Sequence, residues 1–110
     1  MPKQSPALDR MFSALADPTR RRLVERLARG PASVSELARP LKMALPTVVQ
    51  HLKVLEASGL MTSRKQGRVR TCRIALKPFD AAEAWLGRQR AAWAEKFDRF
   101  SAFVEEMDNE

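Results

Sequence analysis

The stretch PTVVQHLKVLEASGL, residues 46–60, decides the fold. Its apolar residues Val48, Leu52 and Leu55 recur at spacings of four and three, which places them on one face of an α-helix. The leading proline suits the first turn of a helix, and Gly59 is a typical helix stop. The pattern therefore predicts a helix that buries one stripe and turns a polar surface toward a partner.

A shorter helix is predicted just before this one. Ser33 and Glu36 have the spacing of a capping box, in which two side chains satisfy backbone N–H groups at a helix start. Pro40 keeps this helix short, and a tight turn over residues 42–45 leads into the longer helix. Two such helices, the second with a polar outer face, are typical of a helix-turn-helix.

After Leu60 the apolar period changes to two. Cys72, Ile74 and Leu76 alternate with other residues, and residues 66–68 supply a turn, which predicts a two-stranded hairpin with these side chains inward. An isolated hairpin is marginal, so we expect its base to pack on the helices and its tip to contact an anion. The tip carries four cations: Arg64, Lys65, Arg68 and Arg70.

Two helices are predicted upstream of the helix-turn-helix. The first covers residues 6–16, and its apolar face consists of Leu8, Met11, Phe12 and Leu15. Asp17 caps the second, which Pro18 opens and Gly30 stops. The arginines of this second helix are expected to face solvent or phosphate.

Residues 79–107 predict one final helix, about 40 Å long. Burying each of its large side chains contributes about 1.5–3 kcal/mol, so half a dozen offset the ~4–15 kcal/mol that association costs. We expect homodimerisation through this helix with the first helix beside it; the alternative is a helix folded back on its own domain. Its large apolar residues follow a heptad-like spacing: Phe79, Leu86, Trp93, Phe97, Phe100, Val104 and Met107.

Charge is divided unequally along the chain. Residues 1–78 hold 16 Lys/Arg against 5 Asp/Glu, a net +11, whereas residues 79–110 hold 4 against 8, a net −4. A basic body favours a polyanion such as the nucleic-acid backbone, and the acidic final helix is expected to face away from it. The alternative is a merely solvated basic surface.

Size and composition favour a single domain over residues 1–110, with a core over about residues 17–78. The lone cysteine, Cys72, is expected to be a buried structural thiol rather than a redox switch. Residues 1–10 lack the apolar stretch of a signal peptide or membrane span, which predicts a cytoplasmic protein. No catalytic triad, phosphate-binding glycine loop or metal cluster is present, so we predict no enzyme and no cofactor.

The whole pattern resembles the ArsR family of bacterial winged-helix repressors. The resemblance covers nearly the whole chain and depends most on LADPTR at residues 15–20, on residues 48–60, and on Gly67-Arg68. It implies a mainly α winged helix-turn-helix with a two-stranded β wing, dimerising through its N- and C-terminal helices. It also implies an autoregulatory or operon repressor that binds a palindromic operator as a homodimer until an inducing signal releases it; activation is the alternative.

The resemblance also bears on metals. Ser33 and Ser35 stand where metal-sensing members carry Cys-x-Cys, and the final helix has no histidine. One Cys and one His on different elements cannot complete a site for a borderline-soft ion, so we predict a subgroup without metal ligands. Ala44 and Val49 replace usual serines, and the resemblance therefore carries no base contacts there.

The predicted DNA contacts lie on the long helix and the hairpin. Gln50 can pair bidentately with adenine, and the methyl group of Thr47 can meet that of thymine. The tip residue Arg68 is expected at phosphate or in the minor groove. The alternatives are ordinary surface polarity for Thr47 and Gln50, a packing role for His51 and a solvated wing. The full set is Pro46, Thr47, Gln50, His51, Lys53, Arg64, Lys65, Arg68 and Arg70.

The predicted partners are double-stranded DNA, a second copy of the chain and, in the cleft between the copies, a small hydrophobic effector. A rival interpretation is a winged-helix protein-interaction or RNA-binding module, but the aromatics that would stack on single-stranded bases are assigned to core and dimer positions. The predicted dimer interface consists of Leu8, Met11, Phe12, Leu86, Trp93, Phe97, Phe100 and Val104.

Overall fold

A computed structural model describes residues 5–109. Residues 1–4, part of the N-terminal stretch in which no signal peptide is predicted, lie outside the described residues. The described chain divides into two compact units at Phe79 and Asp80. Its elements, in chain order, are α1 Pro6–Leu15, α2 Pro18–Leu27, β1 Ala32–Ser33, α3 Val34–Ala38, a 3-10 turn Arg39–Leu41, α4 Leu45–Ala57, β2 Met61–Gln66, β3 Val69–Ile74 and α5 Lys77–Asp108.

Side-chain caps fix where the short helices begin. The carboxylate of Asp17 accepts from the backbone N–H of Arg20 at 3.1 Å at the start of α2. At the start of α3, Ser33 Oγ accepts from the Glu36 N–H and Glu36 Oε1 accepts from the Ser33 N–H, both at 3.1 Å. These bonds satisfy N–H groups that have no partner within the helix, and they confirm both predicted caps.

The helix α4 begins differently. Its N-cap residue, Ala44, offers no side-chain acceptor, and Pro46 occupies the first turn, where a missing N–H is tolerated. Between the 3-10 turn and α4, Lys42 adopts a left-handed conformation with φ 52° and ψ 39°. This conformation, rare for a residue with a side chain, redirects the chain from the first helix of the helix-turn-helix to the second.

The sheet has one strand more than predicted. Its antiparallel order is β1-β3-β2, because Ala32 pairs with Cys72 and Ser33 pairs with Thr71. A two-residue strand is too short to show an alternating pattern, so the sequence gives no sign of it. The added strand holds the base of the hairpin against the helices, while Gly67, at φ 63°, makes the tight turn at its tip.

The core of the first unit draws on every helix from α1 to α4. The predicted buried stripe of α4, Val48, Leu52 and Leu55, is confirmed. One inward prediction is wrong: Leu76 is 68% exposed, because β3 ends at Ile74 and the alternation stops with it. The largest fully buried side chains are Met11, Leu23, Leu27, Leu37, Val48, Leu55, Leu60 and Cys72.

The second unit consists of α5 beyond Phe79. The predicted single helix is confirmed and is slightly longer than expected: at about 1.5 Å per residue its 32 residues extend about 48 Å. Within residues 5–109, no helix is both long and apolar enough to cross a membrane.

Candidate nucleic-acid interface

The buried stripe of α4 determines which of its side chains reach solvent. Val48, Leu52 and Leu55 point into the core. The exposed side chains of the helix include those of Pro46, Thr47, Gln50 and Lys53. Val49, predicted to face outward, is half-buried. The helix thus presents a polar surface whose orientation the core fixes.

His51 is the one predicted contact on α4 that is engaged elsewhere. Its Nδ1 lies 3.3 Å from Nη1 of Arg20 on α2. A guanidinium only donates, so Nδ1 accepts and the ring proton resides on Nε2. His51 is half-buried. It therefore packs against α2, the alternative considered from the sequence, and its contact with DNA stays a prediction.

The arginines that open α2, expected to face solvent or phosphate, also bond to the end of α1; Arg20 is half-buried and Arg21 is exposed. Arg20 donates through Nε to the Ala14 carbonyl at 2.7 Å and through Nη2 to the Ser13 carbonyl at 3.3 Å. Arg21 donates through Nη1 to the Leu15 carbonyl at 2.7 Å. Carbonyls in the last turn of a helix lack intrahelical partners, so these guanidinium groups cap α1. In the sequence, the feature that could have indicated this capping role is the pair of arginines that follows Asp17-Pro18-Thr19.

The wing, β2 and β3, does not present its four cations as one cluster. Lys65 pairs directly with Arg70, and Arg64 pairs with Thr71. Because successive side chains on a strand point to opposite faces, Lys65 and Arg70 share the face of Cys72, while Arg64 lies on the other face. Arg68 lies in the turn and is exposed.

A groove of about 470 Å³ lies between α4 and the wing. Its floor is apolar and includes Leu52, Met61 and the sulfur-bearing Cys72, whereas cations dominate its rim. Across it, Ser63 Oγ donates to the Glu56 carboxylate at 3.2 and 3.3 Å and accepts from Arg70 Nη1 at 2.9 Å. Neither Ser63 nor Glu56 belongs to the predicted site; only the register of the folded hairpin brings them together.

Cys72 is buried and unpaired, as predicted. Burial raises the pKa of its thiol, the nearby Glu56 carboxylate adds to the rise, and Arg70 opposes it. A protonated thiol is a poor nucleophile, which fits a packing role. Within residues 5–109, no three His, Cys, Asp or Glu side chains are grouped to hold a metal ion, and the Ser33 hydroxyl is used as a helix cap.

The predicted dimer residues fall into two groups. Met11 is only 1% exposed within one chain, so it is a core residue and offers no surface to a partner. Leu8 and Phe12 of α1 are half-buried. On α5 the predicted residues are exposed, and three more large apolar side chains, Trp85, Phe103 and Met107, are exposed as well. The exposed predicted residues are Leu86, Trp93, Phe97, Phe100 and Val104.

Comparisons with known proteins agree with this architecture. Residues 15–64 match a family described as a helix-turn-helix domain. A crystal structure of an ArsR family transcriptional regulator is 56% identical in sequence, with a TM-score of 0.78; the match covers 80% of this chain and 97% of that one. This chain belongs to the ArsR family of transcriptional regulators. Its fold is the winged helix-turn-helix, as predicted.

Two further relatives of this ArsR-family protein are informative. The HTH-type transcriptional regulator Rv2034 of Mycobacterium tuberculosis is 56% identical over 59 residues, 54% of this chain and 55% of the relative. A homodimeric winged helix-turn-helix DNA-binding domain from Mycobacterium bovis, solved in solution, is 29% identical, with a TM-score of 0.62 over 84% of this chain and 90% of that one. The chain spans about half the length of the curated relatives that it matches.

Proposed function

We propose that this protein binds a palindromic DNA operator as a homodimer and represses transcription there. The observation that carries the proposal is the pairing of a core-locked helix, α4, with an adjacent basic wing. The exposed Thr47 and Gln50 are suited to base edges in the major groove, and His51 offers one fixed N–H donor. The wing adds cations for the phosphate backbone.

The direct contacts that we propose lie on both elements. Those on α4 read sequence, while Arg64, Lys65 and Arg68 on the wing meet phosphate or the minor groove. The proposed α4 contacts are Pro46, Thr47, Gln50, His51 and Lys53.

The exposed seam of α5 supports the dimer. The Trp93 and Phe97 rings are tilted by 45° with centroids 6.5 Å apart, and Lys96 Nζ lies 5.3 Å from the Trp93 ring centre. A large aromatic surface on one helix face is typical of an interaction site. The related domain from Mycobacterium bovis is homodimeric, which favours a second copy as the occupant. We also propose Leu8 and Phe12, on the first unit, as dimer contacts.

Repression follows from occupancy, since a dimer seated across an operator excludes other proteins from the same grooves.

We also propose that the repressor is not metal-responsive and acts in the cytoplasm. The chain has one cysteine and one histidine; Cys72 is buried, and His51 Nδ1 is directed at Arg20. Added Zn²⁺ should therefore leave DNA affinity unchanged; release from DNA by Zn²⁺ would contradict this.

Selection from random-sequence duplex DNA tests the proposed function. Purified protein should enrich a palindrome whose half-sites are centred about one helical turn, ~10 bp, apart. If each dimer neutralises about eight phosphates, log affinity should fall with log salt at a slope near −7. A selected site without dyad symmetry would contradict the dimer, and enrichment only from a single-stranded RNA pool would favour the RNA-binding alternative.

Two substitutions distinguish base-specific contacts from contacts with the phosphate backbone. Gln50→Ala should relax preference at one base pair of the selected site, with a loss of about 1–3 kcal/mol there. Arg68→Ala should weaken binding to all sequences alike and flatten the salt dependence. Identical binding profiles for the two variants, measured by fluorescence anisotropy on matched and mismatched duplexes, would mean that α4 does not read sequence.

A further inference from the structure

The wing contains an electrostatic conflict. Lys65 on β2 and Arg70 on β3 are directly opposite each other, and like charges in such a pair destabilise a sheet. Both side chains share the strand face of the buried Cys72 and line the groove beside α4. A negative charge on the α4 side would offset part of this repulsion.

Glu56 supplies a negative charge from an otherwise unfavourable position. It lies in the last turn of α4, which ends at Ala57, where the helix dipole disfavours a carboxylate. It also lies on the side proposed to approach phosphate, where an anion is repelled. Neither setting favours a carboxylate at this position. The hydrogen bond that Glu56 accepts from Ser63 across the groove gives the carboxylate a structural role.

Ser63 connects Glu56 to the wing. A hydroxyl has one proton and two lone pairs. Here Ser63 Oγ donates to Glu56, at 3.2 and 3.3 Å from the two carboxylate oxygens, and accepts from Arg70 Nη1 at 2.9 Å. The resulting chain of hydrogen bonds passes from α4 through β2 to β3. It joins the three elements that must hold a common geometry to meet one duplex.

We propose that Ser63 and Arg70 are positioning residues that, together with Glu56, hold the wing at a fixed angle to α4. Arg70 then acts through Ser63 rather than on a DNA phosphate. This revises the contact set predicted from the sequence, which includes Arg70, and leaves Arg64, Lys65 and Arg68 as the phosphate-contacting cations of the wing. The inference rests on the proposed DNA-binding function.

Hydrogen exchange of the full chain without DNA tests the positioning role. Ser63→Ala should accelerate exchange of the β2 and β3 amides about two- to tenfold, the range expected for loss of one hydrogen bond. Thr62→Ala, a neighbouring exposed residue on the other strand face, is the matched control and should exchange like the wild type. Ser63→Thr keeps the hydroxyl and should restore slow exchange. Unchanged exchange in Ser63→Ala overturns the proposal.

A double-substitution cycle identifies the partner. Glu56→Ala and Ser63→Ala should each accelerate wing exchange, and the combined variant should show less than the product of the two effects because both remove the same chain. Fully multiplicative effects would mean that Glu56 and Ser63 act independently, which overturns the connection. This result does not depend on DNA.

Salt-dependent binding to a random-sequence duplex tests the role of Arg70. Arg68→Ala should reduce the slope by about 1 per protomer, because a phosphate contact is lost. Arg70→Ala should keep the wild-type slope and weaken affinity about two- to tenfold, as Ser63→Ala does. Equal loss of slope in both arginine variants overturns the proposal. If the wild type binds no duplex, the proposed function fails, and the exchange measurements still decide whether the hydrogen-bond chain holds the wing.

Discussion

The two units of the chain differ in how far their large apolar side chains are buried. In the first unit, Leu55 and Leu60 are fully buried, whereas on α5 in the second unit Trp93 is 62% and Phe100 is 65% exposed. The charge balance is also opposite, strongly positive up to residue 78 and negative after it. The first unit has a core of its own and a charge suited to a polyanion; the second is one helix with an exposed apolar seam.

Replacing the seam should produce the largest effect. In the double variant Trp93→Glu/Phe100→Glu, we expect the dimer dissociation constant to rise at least about 100-fold, because each lost side chain removes about 1.5–3 kcal/mol of burial and two copies lose it. Sedimentation equilibrium measures the change. The fold of the first unit, followed by circular dichroism, should persist.

The matched control for the seam is Ala102→Glu. Ala102 is exposed and lies two residues from Phe100, on the other side of α5. It should leave association within about twofold of the wild type. A wild-type protein that stays monomeric at micromolar concentration, or an Ala102→Glu variant as monomeric as the seam variant, would contradict the assignment of this face.

An intermediate effect is expected within the first unit, at Arg20. Arg20→Ala removes the guanidinium from two carbonyls of α1 and from His51, and should destabilise the fold by about 1–3 kcal/mol. Arg20→Lys should recover little, since an ammonium lacks the planar fork that reaches three acceptors. Urea unfolding measures both. Arg22→Ala, an exposed neighbour, should change stability by no more than about 0.5 kcal/mol; an equal loss there would indicate a general charge effect.

The smallest effect is a pH dependence at Asp17. The hydrogen bond from the Arg20 backbone N–H holds the pKa of Asp17 below its usual value, and the positive charge of Arg20 favours the same charged form. A lowered pKa contributes stability at pH values above the unfolded-state pKa, and this contribution is lost as pH falls through the folded-state pKa. Asp17→Asn keeps a good cap that does not titrate. Its unfolding midpoint in urea should therefore fall less between about pH 5 and pH 2; a parallel fall would contradict the assignment.

Much of the fold could be predicted because its signals are local. The capping box at Ser33 and Glu36, the cap at Asp17 and the stripe of α4 depend only on neighbours along the chain. The strand Ala32–Ser33 could not be predicted, because two residues show no period and its partner lies 40 positions away. The site divides in the same way: Thr47 and Gln50 follow from helical spacing, whereas the role of Ser63 depends on hairpin register.

The sequence by itself determined the helix-turn-helix, the hairpin, the heptad seam and the basic character of the first unit, since periodicity, caps and charge are properties of nearby residues. Tertiary structure alone decided that Met11 points into the core, that Arg20 caps α1 and meets His51, and that Arg70 bonds to Ser63. The physical reason is reach. A long cationic side chain has several acceptors within its range, and only the folded backbone determines which of them lie at hydrogen-bonding distance.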